Sequence, residues 1–198
     1  MKKHVLLVAG CLLVSATTFA ENRFGVTAGA NINYNSSYET FKTSPGFEAG
    51  LAWEHSFGST EKGHPFFNVG LLYSLRNSKY EESVPGGRIP GTSVNYPSTT
   101  RTYSYHDSYL VLPISAGYNF QLSEKFGLAP KTGISANKNI KEKEFGFGAE
   151  LGVNLNIGKK FQVGLSHEWT IANHYEFGGW ETKDLCNLVH ANLTYYIF

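Results

Sequence analysis

Cysteine is almost missing from this sequence. Its 198 residues include two cysteines, Cys11 and Cys186, and Cys11 lies in an N-terminal stretch that we expect to be removed. The single cysteine left in the mature chain cannot form an internal disulfide. The sequence therefore excludes a small disulfide-bonded scaffold, and the fold must be held together by another means.

Long apolar runs are also missing. Outside the N-terminus no run of about 18 apolar residues occurs, which excludes a helical membrane protein. Charged residues make up 17% of the chain, whereas soluble domains contain roughly 25%. Strands that alternate apolar and polar residues explain both the scarcity of charge and a mean hydropathy of only −0.24.

Residues 1–20 have the layout of a secretion signal. The start is basic at Lys2 and Lys3, the centre is apolar, and Thr18-Phe-Ala20 forms a small-x-small cleavage site. We therefore predict that residues 1–20 are a signal peptide. The mature protein is then a single exported domain, residues 21–198.

A second reading of the N-terminus is a lipoprotein signal. Val8-Ala-Gly-Cys11 is similar to the lipobox that precedes a lipidated cysteine. The apolar run continues beyond Cys11, where a lipidated mature end would become polar. This continuity favours ordinary cleavage after Ala20.

The net charge argues against a nucleic-acid partner. The full chain has 17 basic and 16 acidic residues, and loss of Lys2 and Lys3 leaves 15 against 16, a formal charge of −1. Binding to nucleic acid requires a strongly basic surface. We predict no nucleic-acid partner.

One stretch shows the pattern of the mature chain most clearly. Phe145-Gly-Phe-Gly-Ala-Glu-Leu-Gly-Val-Asn-Leu-Asn-Ile157 has apolar residues at every odd position and glycine or polar residues at every even position. Successive side chains of a strand point to opposite faces, so this is a two-sided strand. Its 13 residues are long for a soluble sandwich, whereas a tilted strand needs roughly 9–11 residues to cross a bilayer.

Seven further stretches show the same alternation. They are residues 24–34, 47–54, 67–76, 109–120, 126–136, 161–171 and 184–198. The connections between them alternate long and short, as they do when long loops lie outside the cell and short turns lie in the periplasm. The sequence predicts an all-β fold, an eight-stranded antiparallel up-and-down transmembrane β-barrel. Residues 77–105 are predicted to form its longest loop, with strand extensions at both ends, and Pro113 predicts a bulge.

The composition of the two faces predicts which one meets lipid. Glycine and small polar residues suit the narrow lumen of an eight-stranded barrel and would make a poor soluble exterior. The apolar face therefore points outward, with aromatic residues collected in a belt at each interface. The predicted belts are Phe24, Trp53, Phe67, Tyr118, Phe126, Phe161 and Tyr195 at the periplasmic level, and Tyr34, Phe47, Tyr109, Phe145 and Trp169 at the outer level.

Five charged residues fall on the lumen face. They are Glu48, Arg76, Lys131, Glu150 and Glu168. Charges in so narrow an interior must be paired or hydrated, so we predict a network of ion pairs that fills the lumen. A conduction path or a proton-linked site is the functional alternative. The histidines show no metal-ligand spacing, and we predict neither a metal nor a cofactor.

The complete pattern resembles the small outer-membrane β-barrel proteins of Gram-negative bacteria. Tyr109-Leu-Val-Leu-Pro113 is similar to the Tyr-Leu-x-x-Pro segment of the PorT-like barrels of the Bacteroidetes, and the layout is also similar to the OmpX/Ail type. The C-terminal residues Tyr195, Tyr196 and Phe198 resemble the assembly signal of such barrels. The resemblance implies an outer-membrane location, with membrane lipid and the barrel-assembly machinery as partners.

The resemblance also raises an enzymatic alternative. Lipid A deacylases of this barrel class use an outward-facing histidine with a nearby serine and glutamate, and His167 falls on the predicted lipid face. Trp169 stands where the serine is expected, while Ser166 and Glu168 are predicted to point inward. We therefore expect a non-enzymatic barrel with a surface-interaction or structural role, and a possible surface ligand at the 77–105 loop. A lipid-modifying enzyme using His167 and a narrow channel or secretion accessory remain the alternatives.

Overall fold

The protein is built from strands. The computed structural model describes residues 20–34, 41–58, 62–88, 95–141, 145–170, 174–177, 180–183 and 186–197. Twelve strands occur in these ranges: β1 (Ala20–Tyr34), β2 (Phe41–Phe57), β3 (Gly63–Val84), β4 (Gly87–Arg88), β5 (Asn95–Tyr96), β6 (Thr99–Gln121), β7 (Phe126–Asn139), β8 (Phe145–Ile157), β9 (Phe161–Thr170), β10 (His174–Phe177), β11 (Trp180–Lys183) and β12 (Cys186–Tyr196). Across the same ranges, no helix is both long and apolar enough to cross a membrane.

Eight of these strands close into a barrel. The order around it is β1-β12-β9-β8-β7-β6-β3-β2, and every pairing is antiparallel. The first and last strands close the sheet, with Gly25 opposite Tyr196 and Tyr34 opposite Asn187. The remaining four strands form two small hairpin sheets, β4-β5 and β10-β11. The predicted eight-stranded up-and-down barrel is confirmed.

Burial alternates along the barrel strands, and its sense is opposite to that of a soluble protein. On β8, Phe145 and Leu151 are 56% and 57% exposed, whereas Glu150 between the strand ends is 7% exposed. The same alternation runs along β7 and β9. The barrel therefore has an apolar exterior and a polar interior, which is the arrangement of a membrane-spanning barrel.

Most of the predicted belt aromatics lie on the exterior, but Tyr109 does not. Phe24, Phe47, Phe161 and Trp169 are exposed, while Tyr109 is buried inside the barrel. The prediction for Tyr109 was wrong because that residue has the same parity on β6 as the inward-facing Val111. The side chain of Tyr34 lies outside the described part of the structure.

The expected bulge at Pro113 is not found. The register between β3 and β6 is unchanged from Val69 opposite Ile114 to Leu72 opposite Val111, on the two sides of the proline. A side chain on Gly70 would come within 2.9 Å of the proline ring, so the glycine makes the room that the ring needs. The register shift that the structure does show lies between Ser44 and Phe47 in β2.

The lumen is too narrow for all of the strands to place large side chains in it at the same level. A Cβ atom added at Gly148 would lie 2.7 Å from Ser135 Oγ and 2.8 Å from Glu168 Cγ. Inward-facing glycines on β8 therefore allow β7 and β9 to place longer polar groups in the same layer. This agrees with an eight-stranded interior just wide enough to be filled by side chains.

Replacement of Gly148 by leucine tests this packing. Gly148→Leu is expected to lower the fraction of refolded barrel severalfold, because the new side chain must displace Glu168 and Ser135. The control Ala149→Leu adds a similar volume on the outer face of the same strand and should leave the yield unchanged. Mobility of unheated against boiled samples on gels measures the folded fraction. Equal yields for the two variants would contradict a packed lumen.

Candidate functional site

The five charged residues predicted for the lumen all have inward-facing, largely buried side chains. Lys131 Nζ lies 2.6 Å from Glu150 Oε1, and Arg76 Nη2 lies 3.7 Å from Glu168 Oε1. Glu48 is 3% exposed and contacts a histidine that the prediction left out. The structure thus brings the five together with additional partners.

Arg76 and Glu168 belong to a group at the end of the barrel that carries the long β3-β6 hairpin. Arg76 donates to Asn137 Oδ1 at 3.0 Å, and Asn137 Nδ2 donates to Glu168 Oε1 at 3.0 Å. The guanidinium carbon of Arg76 lies 4.5 Å from the centre of the Tyr109 ring. We call these four residues the hairpin-end cluster. Their hydrogen bonds and cation–π contact fill the lumen at this level.

A second cluster fills the opposite end, near the short turns. Arg23 is paired with Glu54 and lies over the ring of Tyr196, with 4.2 Å from the guanidinium carbon to the ring centre. Tyr196 donates to Glu54 Oε2 at 3.2 Å, and Gln162 Nε2 donates to the same oxygen at 3.2 Å. We call Arg23, Glu54, Gln162 and Tyr196 the turn-end cluster.

The sequence analysis missed the turn-end cluster, although the alternation of inward and outward residues could have revealed it. Glu54 was placed on the inward face of the second strand but was left out of the network. The first strand was predicted to begin at Phe24, one residue after Arg23, whereas β1 begins at Ala20. Extending the alternation by one residue would have placed an arginine in the lumen with Glu54 on the adjacent strand.

A small cavity lies between the two clusters. Its volume is about 60 Å³, and its walls include Glu48, Lys131, Glu150, Glu168 and His190. A buried water needs roughly 10–15 Å³ of such space, so the cavity has room for about four waters. The lumen therefore has room for water between two clusters of polar side chains.

His190 is a histidine at the wall of this cavity. It is 7% exposed, and its Nδ1 lies 2.8 Å from Glu48 Oε2. Its Nε2 lies 3.7 Å from Glu168 Oε2 and has no hydrogen-bond partner within the protein. The imidazole thus lies between two carboxylates that come from different strands.

In the described part of the structure, the lipid face does not bring a serine and a glutamate next to His167, as a lipid A deacylase would require. His167 lies on the lipid face with its ring 4.2 Å from the Trp169 ring at 81°. Ser166 and Glu168 are buried on the other face of the same strand. Across the strands, the residues opposite His167 are Leu151 and Val189, neither of which can act as a nucleophile or base. In the described ranges, no three His, Cys, Asp or Glu residues are grouped to hold a metal.

The two ends of the barrel carry half-buried titratable groups beyond the apolar band. Burial raises the pKa of Asp107, and the nearby cations Lys141, His106 and Arg76 oppose that shift. Burial lowers the pKa of His64 at the start of β3, although the carboxylate of Glu54 opposes the change. These rim groups lie outside the lumen clusters.

The predicted loop at 77–105 is largely a hairpin. β3 and β6 stay paired from Asn77 opposite His106 to Val84 opposite Thr99. In the described ranges, pairing of β6 with β7 stops at Tyr109 opposite Asn139, and pairing of β3 with β2 stops at Tyr80 opposite Phe41. Beyond Tyr80 the two strands therefore leave the barrel as a ribbon, and the four residues 81–84 extend roughly 13 Å. We call residues 77–105 the projecting hairpin; residues 89–94 at its tip lie outside the described part.

The C-terminal residues of the predicted assembly signal have different surroundings. Tyr195 is on the exterior, where its ring centre lies 5.2 Å from that of Phe161. Tyr196 points inward into the turn-end cluster. Phe198 and the predicted signal residues 1–19 lie outside the described residues.

A closed barrel with an apolar exterior and a filled polar lumen defines a transmembrane β-barrel. The chain belongs to the family described as the outer membrane protein beta-barrel domain, whose model matches residues 5–194. It is therefore an outer-membrane protein.

Comparison with solved structures finds similar chains at low sequence identity. Ail of Yersinia pestis, solved with the heparin analogue sucrose octasulfate, is 14% identical over 89% of this chain and 99% of its own, with a TM-score of 0.42. The outer membrane enzyme PagL is 12% identical over 88% and 98%, and Neisserial surface protein A is 10% identical over 89% and 97%, both with a TM-score of 0.45. No curated protein matches the sequence.

The turn-end cluster predicts a large penalty for unpairing Arg23. Glu54→Ala leaves the guanidinium buried without its carboxylate, so we expect unfolding free energy to fall by about 3–5 kcal/mol. The double variant Arg23→Leu with Glu54→Leu should lose less, because no charge remains unpaired. Glu124→Ala, on an exposed turn, is the control and should change stability by less than about 0.5 kcal/mol. Urea unfolding in micelles measures all three, and a double variant that loses more stability than Glu54→Ala would contradict the pairing.

Proposed function

We propose that this outer-membrane barrel is non-enzymatic and that the projecting hairpin contacts a partner at the cell surface. The observation that carries the proposal is the paired extension of β3 and β6 beyond their neighbours, from Glu81 opposite Thr102 to Val84 opposite Thr99. A ribbon held by backbone hydrogen bonds presents its side chains in a fixed arrangement. Such preorganisation lowers the entropic cost of binding.

The side chains of the projecting hairpin suit contact with a partner. Residues 97–104 are all exposed and include Arg101 and Tyr103 among serines and threonines. Tyrosine supplies a large contact area at low entropic cost, and serine and threonine hydroxyls adapt their hydrogen bonds. These properties support an interaction surface more than a simple solvated loop.

The backbone of β6 supports the same proposal. Between residues 99 and 107, the edge of β6 that faces β7 has no barrel strand beside it in the described ranges. At this edge Lys141 Nζ donates a hydrogen bond to the His106 carbonyl at 3.4 Å. Open strand edges can accept an added strand from a partner. An extended polypeptide is therefore one chemical class of partner that the projecting hairpin would accept.

Shortening the projecting hairpin tests the proposal. Deleting 80–103 and joining Lys79 to Ser104 through Asn-Gly keeps that register pair and supplies a two-residue turn. Cells with the shortened barrel should lose at least tenfold of their binding to immobilised matrix proteins, heparin or cells of their own kind, whichever the intact barrel binds. A variant lacking 174–183, the other hairpin at this end, is the control. Binding that survives the 80–103 deletion, with the folded barrel present in the outer membrane, would contradict the proposal and leave a structural role.

Replacement of His167 tests the alternative that the barrel is a lipid-modifying enzyme. Because Ser166 and Glu168 lie in the lumen, His167 has no serine or glutamate on its face of β9. His167→Ala is expected to leave the acyl chains of lipid A unchanged, and mass spectrometry of lipid A from expressing cells measures them. Trp169→Ala serves as a packing control at the neighbouring outward position. An acyl chain that is missing in cells with the intact barrel and restored by His167→Ala alone would establish the enzyme instead.

Three narrower assignments remain proposals. The two lumen clusters support a barrel without useful conductance, rather than a narrow channel or a secretion accessory, and planar-bilayer recording is the corresponding measurement. The Tyr109-Leu-Val-Leu-Pro113 segment supports membership of the PorT-like group within the wider family. Tyr195, Tyr196 and Phe198 are proposed as the signal that the barrel-assembly machinery reads.

A further inference from the structure

The buried charges of the lumen do not balance without a histidine. Among the described residues, three cations lie inside the barrel between its rims, Arg23, Arg76 and Lys131. Four carboxylates face them, those of Glu48, Glu54, Glu150 and Glu168. Three positive charges against four negative charges leave one unmatched carboxylate in a poorly solvated interior, which is costly.

Each of the other carboxylates has a cation of its own. Glu54 is paired with Arg23, Glu150 with Lys131, and Glu168 with Arg76. The carboxylate left over is Glu48, and its partner is His190 Nδ1 at 2.8 Å. The surplus negative charge is thus located at the residue that contacts the imidazole.

The position of the imidazole favours two N–H groups. Nδ1 faces Glu48, and Nε2 faces Glu168 Oε2 at 3.7 Å. A neutral histidine has one N–H donor and one lone pair, so one of its nitrogens would turn the lone pair toward a carboxylate. A protonated histidine donates from both nitrogens and matches both carboxylates.

We propose that His190 is a proton-binding site in the lumen, and that the bound proton completes the charge balance of the barrel. The cavity of about 60 Å³ at its side has room for a water molecule that could accept a hydrogen bond from Nε2. Every charged group facing the site takes part: Glu48 from β2, Glu168 from β9 and Glu150 from β8 favour the proton, while Arg76 from β3 and Lys131 from β7 oppose it. On β1, the neighbouring lumen residues Thr27 and Asn31 carry no charge.

The proposal predicts a stability that falls as the pH rises. The unfolded chain releases the histidine proton near an ordinary pKa of about 6.5, whereas the folded barrel retains it. The proton therefore stabilises the barrel at low pH, and this contribution is lost when the pH becomes high enough to remove it from the folded state. The loss leaves Glu48 buried opposite a neutral ring.

Unfolding rates of the purified full-length barrel in liposomes test the site. The intact barrel should unfold about tenfold faster at roughly pH 9 than at roughly pH 6. His190→Gln, which cannot take up the proton, should unfold fast at both values, and Glu48→Gln should lose the pH dependence because three cations then face three carboxylates. The control His106→Gln, an exposed histidine next to the projecting hairpin, should behave like the intact barrel.

The outcomes separate a proton site from simple packing. An unchanged tenfold pH dependence in His190→Gln would overturn the proposal. Where that variant does not fold, nitrogen NMR of the intact barrel gives the answer directly. Two protonated ring nitrogens on His190 at about pH 8, where a histidine with the ordinary pKa of about 6.5 is neutral, support the proposal, and one protonated with one bare nitrogen would overturn it.

Discussion

The fold depends on one constraint, which is that lipid offers no hydrogen bonds to the backbone. Inside a bilayer every N–H and C=O group must find its partner within the protein, and a closed sheet meets that demand for strands. Pairing of β1 with β12 removes the last open edge. Once the sheet closes with eight strands, the apolar residues must face outward and the interior must be filled by short or mutually paired polar groups. The glycines, the ion pairs and the scarcity of charge all follow from this closure.

Alternation made the architecture predictable, because its period of two residues applies to every strand. Residues 145–157 were predicted as a strand with the same bounds as β8. The eight-stranded barrel, with its apolar exterior and polar interior, was predicted from eight such stretches taken together. Strand ends were harder, since polar residues at a rim carry no apolar contrast. β2 and β3 therefore extend beyond their predicted limits, and the projecting hairpin was predicted mainly as a loop.

The lumen site could be predicted by face but not by partner. Parity placed Glu48, Arg76, Lys131, Glu150 and Glu168 inside, yet which carboxylate meets which cation depends on the register between strands distant in sequence. His190 was assigned to the lumen without a role, because its two carboxylates come from β2 and β9, 142 and 22 residues away in number. Tyr109 was placed in the aromatic belt because it is a tyrosine, although the alternation of its strand puts it on the lumen face.

β8, which shows the barrel pattern most clearly, also offers the most direct test of the structure. The odd positions of 145–157 face lipid, and the even positions face a filled lumen. Nitroxide labels placed singly along β8 in liposomes, on a variant with Cys186→Ser, report accessibility to lipid-soluble oxygen. High oxygen accessibility is expected at 147, 149, 151, 153 and 155, and low values are expected at 150 and 154, where the native residues already place a side chain in the lumen. Uniform accessibility, or a maximum at the even positions, would contradict this arrangement.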